Sequence, residues 1–275
     1  MMKTGSKSCA CAAFLLMLSG VAAAQSFDCM INANQTVEIR SPVTGLLQTV
    51  PVKRGDMIKA GAVVATLESG VEQSNVDVAH FKAEMVGQVE ASKAKVDMLH
   101  KKFARASDLY SQGAYVSAQE KEDAEQDMLV AEGDAKEAAE NQQLAGLEWK
   151  QAQSTLDRRT LRSPFDGVVV DQYMYPGEYV GGNEAKKPIL KLAQIGVLRV
   201  EAILPVAMYG KVKKGGKVSM SPEIPLDGLA GGLINGVVSH VDRVVDSSSG
   251  TFGVVVFIDN PDYRIPAGIR CKMQF

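Results

Sequence analysis

The side chains in this sequence best suited to hold a metal ion or move a proton near neutral pH are its three histidines, His80, His100 and His240. Their spacing argues against a shared site. His80 and His100 stand twenty residues apart on one predicted helix, about 30 Å at 1.5 Å per residue. His240 with Asp242 is a single alternating pair on a predicted strand. The twelve methionines are scattered rather than clustered. There is no Gly-x-Ser-x-Gly elbow, His-Glu-x-x-His helix, phosphate loop or dinucleotide fingerprint. We therefore expect no catalytic residue, no metal ligand and no cofactor, and the chain does not read as an enzyme.

The whole 275-residue chain is 46% apolar with a net charge of −2, material for about two modest domains plus an extension. That balance carries no nucleic-acid footprint. Met1 to Ala24 has the build of a secretory signal: Lys3 and Lys7, an apolar run from Cys9 to Leu18, then Gly20 and the small-residue site Ala22-Ala23-Ala24. The apolar run is shorter than the ~20 residues a membrane span needs, so a cleaved signal is expected rather than a retained anchor. Cys29 follows Ser26-Phe27-Asp28, which is not a lipoprotein site. After cleavage Cys29 and Cys271 remain as an even pair in an oxidising compartment. The sequence leaves two forms open, a disulfide or two separate buried thiols.

What must position everything else is a stretch that occurs twice, 122 residues apart. Arg40-Ser41-Pro42-Val43-Thr44-Gly45-Leu46-Leu47 is answered by Arg162-Ser163-Pro164-Phe165-Asp166-Gly167-Val168-Val169, and Gly55-Asp56-Met57-Ile58 falls under Gly177-Glu178-Tyr179-Val180. Each copy predicts a short strand, a glycine turn, a β-branched strand and a second glycine turn. The repeat turns are set by Gly45, Gly55, Gly167 and Gly177. One copy alone is too small to bury a core, so the two must pack together. Whatever lies between them must leave and return through one point.

This pattern resembles the two halves of the lipoyl or biotinyl carrier fold. A carrier would place a lysine in a tight hairpin between the halves. Here, after Val64-Ala65-Thr66-Leu67-Glu68, roughly ninety residues of helix-forming sequence run to Arg159 instead. Split lipoyl halves around a long insertion resemble the periplasmic adaptor, or membrane fusion protein, family (HlyD-like) of bacterial efflux pumps and type I secretion systems. The resemblance covers nearly all of the chain after the signal.

Within the insertion, Ser69 with Glu72 predicts a capping box at the start of a first helix that should run to Gly113. Val78, Phe81, Met85, Val89, Ser92, Val96, Leu99, Phe103, Ala106 and Tyr110 form its predicted heptad seam, with a stutter between Met85 and Val89. A second capping box, Ser117 with Glu120, opens a second helix. Its seam is Ala124, Met128, Ala131, Ala135, Ala138, Gln142, Ala145, Trp149, Ala152 and Leu156. The short connection from Gly113 to Val116 forces the helices antiparallel. The expected product is a helical hairpin of about 60 Å. At its tip, Arg105, Leu109 and Ser117 are similar to the signature by which family adaptors meet an outer-membrane channel. Seven residues separate Leu109 from Ser117 where six are common.

From Gln194 onward, β-rich runs at Leu198 to Leu204, Lys217 to Met220, Gly236 to Val245, Phe252 to Ile258 and Ile269 to Phe275 predict a small antiparallel barrel. The fold class expected is therefore an elongated, multidomain α+β chain. Its domains would be a signal peptide at 1–24, an amino-terminal strand and first lipoyl half at 25–68, a helical hairpin at 69–159, a second lipoyl half at 160–193 and a β-barrel at 194–275. The sequence ends at Phe275, where that barrel should be complete, so the further membrane-proximal domain of many family members is not expected.

The resemblance implies a periplasmic protein, peripheral to the inner membrane, that bridges an inner-membrane transporter of the resistance-nodulation-division (RND) or ABC type to an outer-membrane channel. It also implies a homo-oligomer, trimeric or hexameric. The alternatives are a periplasmic coiled-coil scaffold without a pump and, less favoured because the lysine hairpin is missing, a biotinyl or lipoyl carrier.

Overall fold

The computed structural model describes residues 25–113, 115–181, 187–225 and 232–275. The expected signal peptide lies outside the described residues. The rest divides into two units, one of Ala33–Gly196 and one joining the residues up to Asn32 to Val197–Phe275.

In the first unit the repeat folds as two copies that bond to each other reciprocally. Strands β2 (Gly45–Thr49), β3 (Met57–Ile58) and β4 (Val63–Leu67) precede the helices, and β5 (Thr160–Arg162), β6 (Gly167–Gln172) and β7 (Tyr179–Val180) follow them. The Leu47 N–H donates to Glu178 O at 2.9 Å, and the equivalent Val169 N–H donates to Asp56 O at 3.0 Å. Gly55 donates to Val169 O and Gly177 to Leu47 O, both at 2.8 Å. Strands β2 and β7 pair Gly45 with Val180, and β3 and β6 pair Ile58 with Gly167. Every one of these bonds maps onto its partner by the 122-residue offset. The shared core holds Leu47, Val64, Leu67, Val169, Met174, Ile189, Leu190 and Leu192, so each copy buries the other's apolar face.

Between β4 and β5 come α1 (Gly70–Glu84), α2 (Gly87–Ser111) and α3 (Ala118–Asp157). The chain leaves and re-enters at adjacent points, since the Leu67 N–H donates to Arg159 O at 2.8 Å. Ion pairs Lys95–Asp134, His100–Glu132 and Lys102–Asp127, at 2.7–2.8 Å, show α2 running antiparallel to α3. All ten seam positions expected on α3 are buried or half-buried. Three of them, Ala124, Ala131 and Ala138, are among its most enclosed residues.

The first predicted helix differs in three ways. It is broken at Met85 and Val86 rather than continuous to Gly113. The inward face of α1 is Glu72, Val76, Ala79 and Ala83, that of α2 is Val89, Ser92, Val96, Leu99 and Phe103, and these are one residue out of heptad phase. The break resets the phase so that both keep a face on α3, and Gln142 of α3 donates to the freed Ala83 carbonyl. Val78, Phe81 and Met85 point outward instead of into the seam. Finally, Ser69 makes no side-chain cap. Glu68 accepts the Gly70 N–H at 2.9 Å, while Glu72 bonds to Arg159, because a guanidinium offers a carboxylate a stronger, charge-assisted bond than a backbone amide.

In the second unit, β1 (Ser26–Ile39), β12 (Ile269–Gln274), β9 (Lys217–Pro222), β10 (Ile234–Val241), β11 (Thr251–Asp259) and β8 (Leu190–Pro205) follow one another, and a β1–β8 pairing closes them into a six-stranded barrel. Strands β1 and β8 also supply residues to the first unit. Alternation fills the barrel: Leu198, Val200, Ala202 and Leu204 of β8 point inward with Phe252, Val254, Val256 and Ile258 of β11.

Candidate functional site

The connection between α2 and α3 combines exposure with a fixed turn. Ser117 takes the N-cap of α3, its hydroxyl accepting the Glu120 N–H at 3.1 Å while Glu120 accepts the Ser117 N–H at 3.3 Å. Both orphan donors are thereby satisfied. Gly113 ends α2 with φ +69°, a left-handed conformation that costs glycine nothing. Arg105 and Leu109 lie one turn apart on α2, and both are exposed, as is Ser117. Among the described residues Arg105 makes no ion pair, and Ser117 bonds to neither Arg105 nor Leu109. The turn separates Ser117 from the other two, so the three form a surface and not a pocket.

Two aromatic residues on that surface were not among the predicted tip contacts. Tyr110, placed in the seam by its spacing, is exposed, with the Lys121 ammonium 5.6 Å from its ring centre. Tyr115 is fully exposed. No periodicity could mark Tyr115, because it lies in the turn itself.

At the other end of the helices the contacts are structural. Arg159 donates to Thr44 O at 2.8 Å and to the Glu72 carboxylate. The backbone N–H of Glu72, and then Arg159, hold that carboxyl below its ordinary pKa. Gly55 and Gly177 adopt φ +94° and +91°. Gly45 and Gly167 have ordinary φ and are needed for room: a Cβ on Gly45 would stand 2.4 Å from Arg159 Nη1, and one on Gly167 2.3 Å from Ala193 O.

Cys29 and Cys271 face each other across the β1–β12 ladder, Cα atoms 4.9 Å apart, with their sulfurs joined. Beside them Asp28 pairs with Lys272. The hydrogen bond from Lys272 lowers the Asp28 pKa and correspondingly raises that of Lys272. Each histidine has its own carboxylate: His80 with Glu84 at 3.4 Å, His100 with Glu132 at 2.7 Å and His240 with Asp242 at 3.4 Å. Among the described residues no three metal-ligating side chains come together. None of the described helices is long and apolar enough to cross a membrane.

A family profile described as CzcB-like, barrel-sandwich hybrid domain matches residues 35–193, more than half of the chain and nearly all of the first unit. The chain belongs to the membrane fusion protein family. Within it, the cobalt-zinc-cadmium resistance protein CzcB of Cupriavidus metallidurans is 24% identical over 246 residues, covering 86% of this chain and 42% of that protein. The pyoverdine export membrane fusion protein PvdR of Pseudomonas aeruginosa is 22% identical over 264 residues, covering 87% of this chain and 66% of that protein. The chain thus spans less than two thirds of either. The crystal structure of MacA from Actinobacillus actinomycetemcomitans superposes with a TM-score of 0.72 at 21% identity, covering 90% of this chain and 76% of MacA, which shows a shared fold.

Proposed function

We propose that the protein is the periplasmic adaptor of a tripartite efflux system, bridging an inner-membrane transporter to an outer-membrane channel. In this reading residues 33–196 form a split lipoyl-like domain with a helical hairpin inserted, and the hairpin tip meets the channel through Arg105, Leu109 and Ser117. The protein reaches the periplasm behind a cleaved signal and works as a homo-oligomer, by geometry and assembly, without catalysis.

One observation carries the tip assignment. The α2–α3 connection leaves Arg105, Leu109, Tyr110 and Tyr115 exposed, about 60 Å along α3 from the strands that anchor it. The core and the Arg159 contacts that hold the fold lie at the opposite end of that helix.

The test is Arg105→Asp in cells carrying the pump. Export should be normal and stability unchanged within about 0.5 kcal/mol, as for surface substitutions away from structural contacts. Transport and crosslinking to the channel should be lost. Ser117→Ala is ambiguous, because losing an N-cap costs about 1 kcal/mol by itself, whereas Ser117→Asp keeps the cap and alters the surface. Normal transport by Arg105→Asp would overturn the tip reading in favour of a scaffold without a pump.

A further inference from the structure

The barrel of the second unit has two rims of different charge. One lies where β8 and β10 end and β9 and β11 begin, since Pro205 pairs with Thr251 and Val237 with Lys217. Its two connections are tied down: the Val206 N–H donates to Gly250 O at 2.9 Å, and the Gly215 N–H donates to Val238 O at 2.8 Å. In the first connection Val212 is buried, and Tyr209 sets its ring on the buried Phe252 with centroids 5.2 Å apart. These two pack onto the end of the barrel core. Lys211, Lys213 and Lys214, beside Val212 in sequence, are left in solvent, as are Lys217 at the start of β9 and Arg243 in the second connection. Among the described residues none of these cations makes an ion pair. The carboxylates beside them are already engaged, Asp242 by His240 at 3.4 Å and the Gly253 N–H at 3.2 Å, Asp246 by the Ser248 N–H at 2.8 Å. Apolar side chains are interleaved with the charge: Val244, next to Arg243, is 81% exposed and Val206 51%. The opposite rim, where β11 ends, carries Asp259 and Asp262 instead, with Arg264 paired to Asp262 at 3.5 Å.

We propose that this basic rim docks on an anionic phospholipid surface, its lysines among the headgroup phosphates and Val206 and Val244 at the boundary with the acyl chains. Cations without a protein partner, set beside exposed aliphatic side chains, supply the two attractions that hold a protein at a bilayer interface, charge and buried apolar area. The topology adds a direction. Ser26 pairs with Gln274, and Gln274 with Ser219, so β1 begins at this rim and the expected export signal at 1–24 joins the barrel there. A chain delivered through the inner membrane thus presents this rim to the membrane it has just crossed. The proposal rests on the periplasmic reading and not on the hairpin tip. An acidic protein face would also satisfy the lysines, and the experiment separates the two.

The probe is vesicles of phosphatidylethanolamine with phosphatidylglycerol, phosphatidylcholine vesicles are the control without net charge, and the readout is flotation of the purified full exported chain. The protein should float with the anionic vesicles at low salt and stay behind with the neutral ones, and high salt should release most of it. Each lysine near the surface contributes about five-fold to partitioning, so Lys211→Gln, Lys213→Gln and Lys214→Gln together should weaken binding roughly a hundred-fold. Lys211→Arg, Lys213→Arg and Lys214→Arg together should retain it. Val244→Ser should weaken it several-fold with the charge unchanged. Melting temperatures should not move, because these side chains are in solvent. Equal flotation of the glutamine variant, or equal flotation with neutral vesicles, would overturn the docking. If no vesicle recovers the parent the proposal falls, and loss of transport by the glutamine variant would then assign the lysines to an acidic protein surface. Arg105→Asp should float like the parent, so rim and tip fail separately. Loss of flotation by the parent leaves the adaptor standing, and normal transport by Arg105→Asp leaves the rim standing.

Discussion

The two copies of the repeat share their backbone bonds and differ in what surrounds them. Ser41 and Ser163 each turn a hydroxyl back onto the carbonyl two residues on, Val43 O at 2.5 Å and Phe165 O at 2.6 Å. Leu47 and Val169 occupy the same place in the reciprocal ladder. Yet Gly45 lies under the movable end of the Arg159 side chain, whereas Gly167 lies against the Ala193 carbonyl, which is fixed by the pairing of β6 with β8. The same residue at the same register is required for different reasons. The copy that faces a strand should tolerate change less than the copy that faces a side chain.

Gly167→Val probes the rigid side of that contrast and should have the largest effect. A Cβ 2.3 Å from a carbonyl oxygen cannot be accommodated without moving β8, so the cost should reach about 3 kcal/mol, the upper end of ordinary overpacking. In thermal unfolding followed by circular dichroism this should read as a fall of roughly 6–12 °C. A fall no larger than that of Gly45→Val would erase the contrast.

The outer glycines should behave as equals. Gly55 and Gly177 have matching left-handed φ values, and nothing lies within 4 Å of where a Cβ would stand on either, so only backbone strain opposes substitution. Gly55→Ala and Gly177→Ala should each cost about 1–2 kcal/mol, with melting shifts alike in the two copies. Unequal shifts would mean that the pseudo-symmetry of the bonds does not extend to their energetics.

Gly45→Ala should cost less, about 1 kcal/mol or below, because the Arg159 guanidinium can swing away at the expense of its bonds to Thr44 O and Glu72. The cost should nearly vanish in an Arg159→Ala background, where there is nothing left to displace. A double-mutant cycle measures this coupling directly. Additive effects would show that the obstacle at Gly45 is not Arg159.

These differences also mark how far sequence reasoning reaches. The 122-residue offset was readable because both copies keep glycine, serine and β-branched residues in register, and those residues specify turns and strands locally. The α3 seam was readable because its alanines recur without a break. The orientation of α1 was not, since its most apolar stripe faces outward while the seam uses Glu72, Val76, Ala79 and Ala83. Hydrophobic periodicity identifies a face without naming its partner. Glu72, the predicted partner of Ser69 in the capping box, turns its carboxylate to Arg159, 87 residues away. At the tip, the spacing that placed Tyr110 in the seam stops working, since Tyr110 is exposed although it stands level with Lys121 in the first turn of α3. The crowding at Gly45 and Gly167 depends on Arg159 and Ala193, which no local pattern brings near.

The smallest expected effect concerns the residue before each inner glycine. Thr44 in the first copy cannot ionise, while its counterpart Asp166 accepts the Ala60 N–H at 2.7 Å and the Lys59 ammonium at 3.0 Å. These bonds, the backbone one first, hold the Asp166 carboxyl below its ordinary pKa of 3.8. A carboxylate whose pKa is lower folded than unfolded contributes stability that is complete above the unfolded value and lost as pH falls through the folded one. Asp166→Ala should therefore lower the melting temperature slightly at pH 7, and the gap from the parent should close as pH is taken below about 3.8. Because Glu72, Asp28 and the other carboxylates are present in both proteins, the difference isolates Asp166. A gap that persists unchanged into acid would show that the side chain acts through packing and not through its charge.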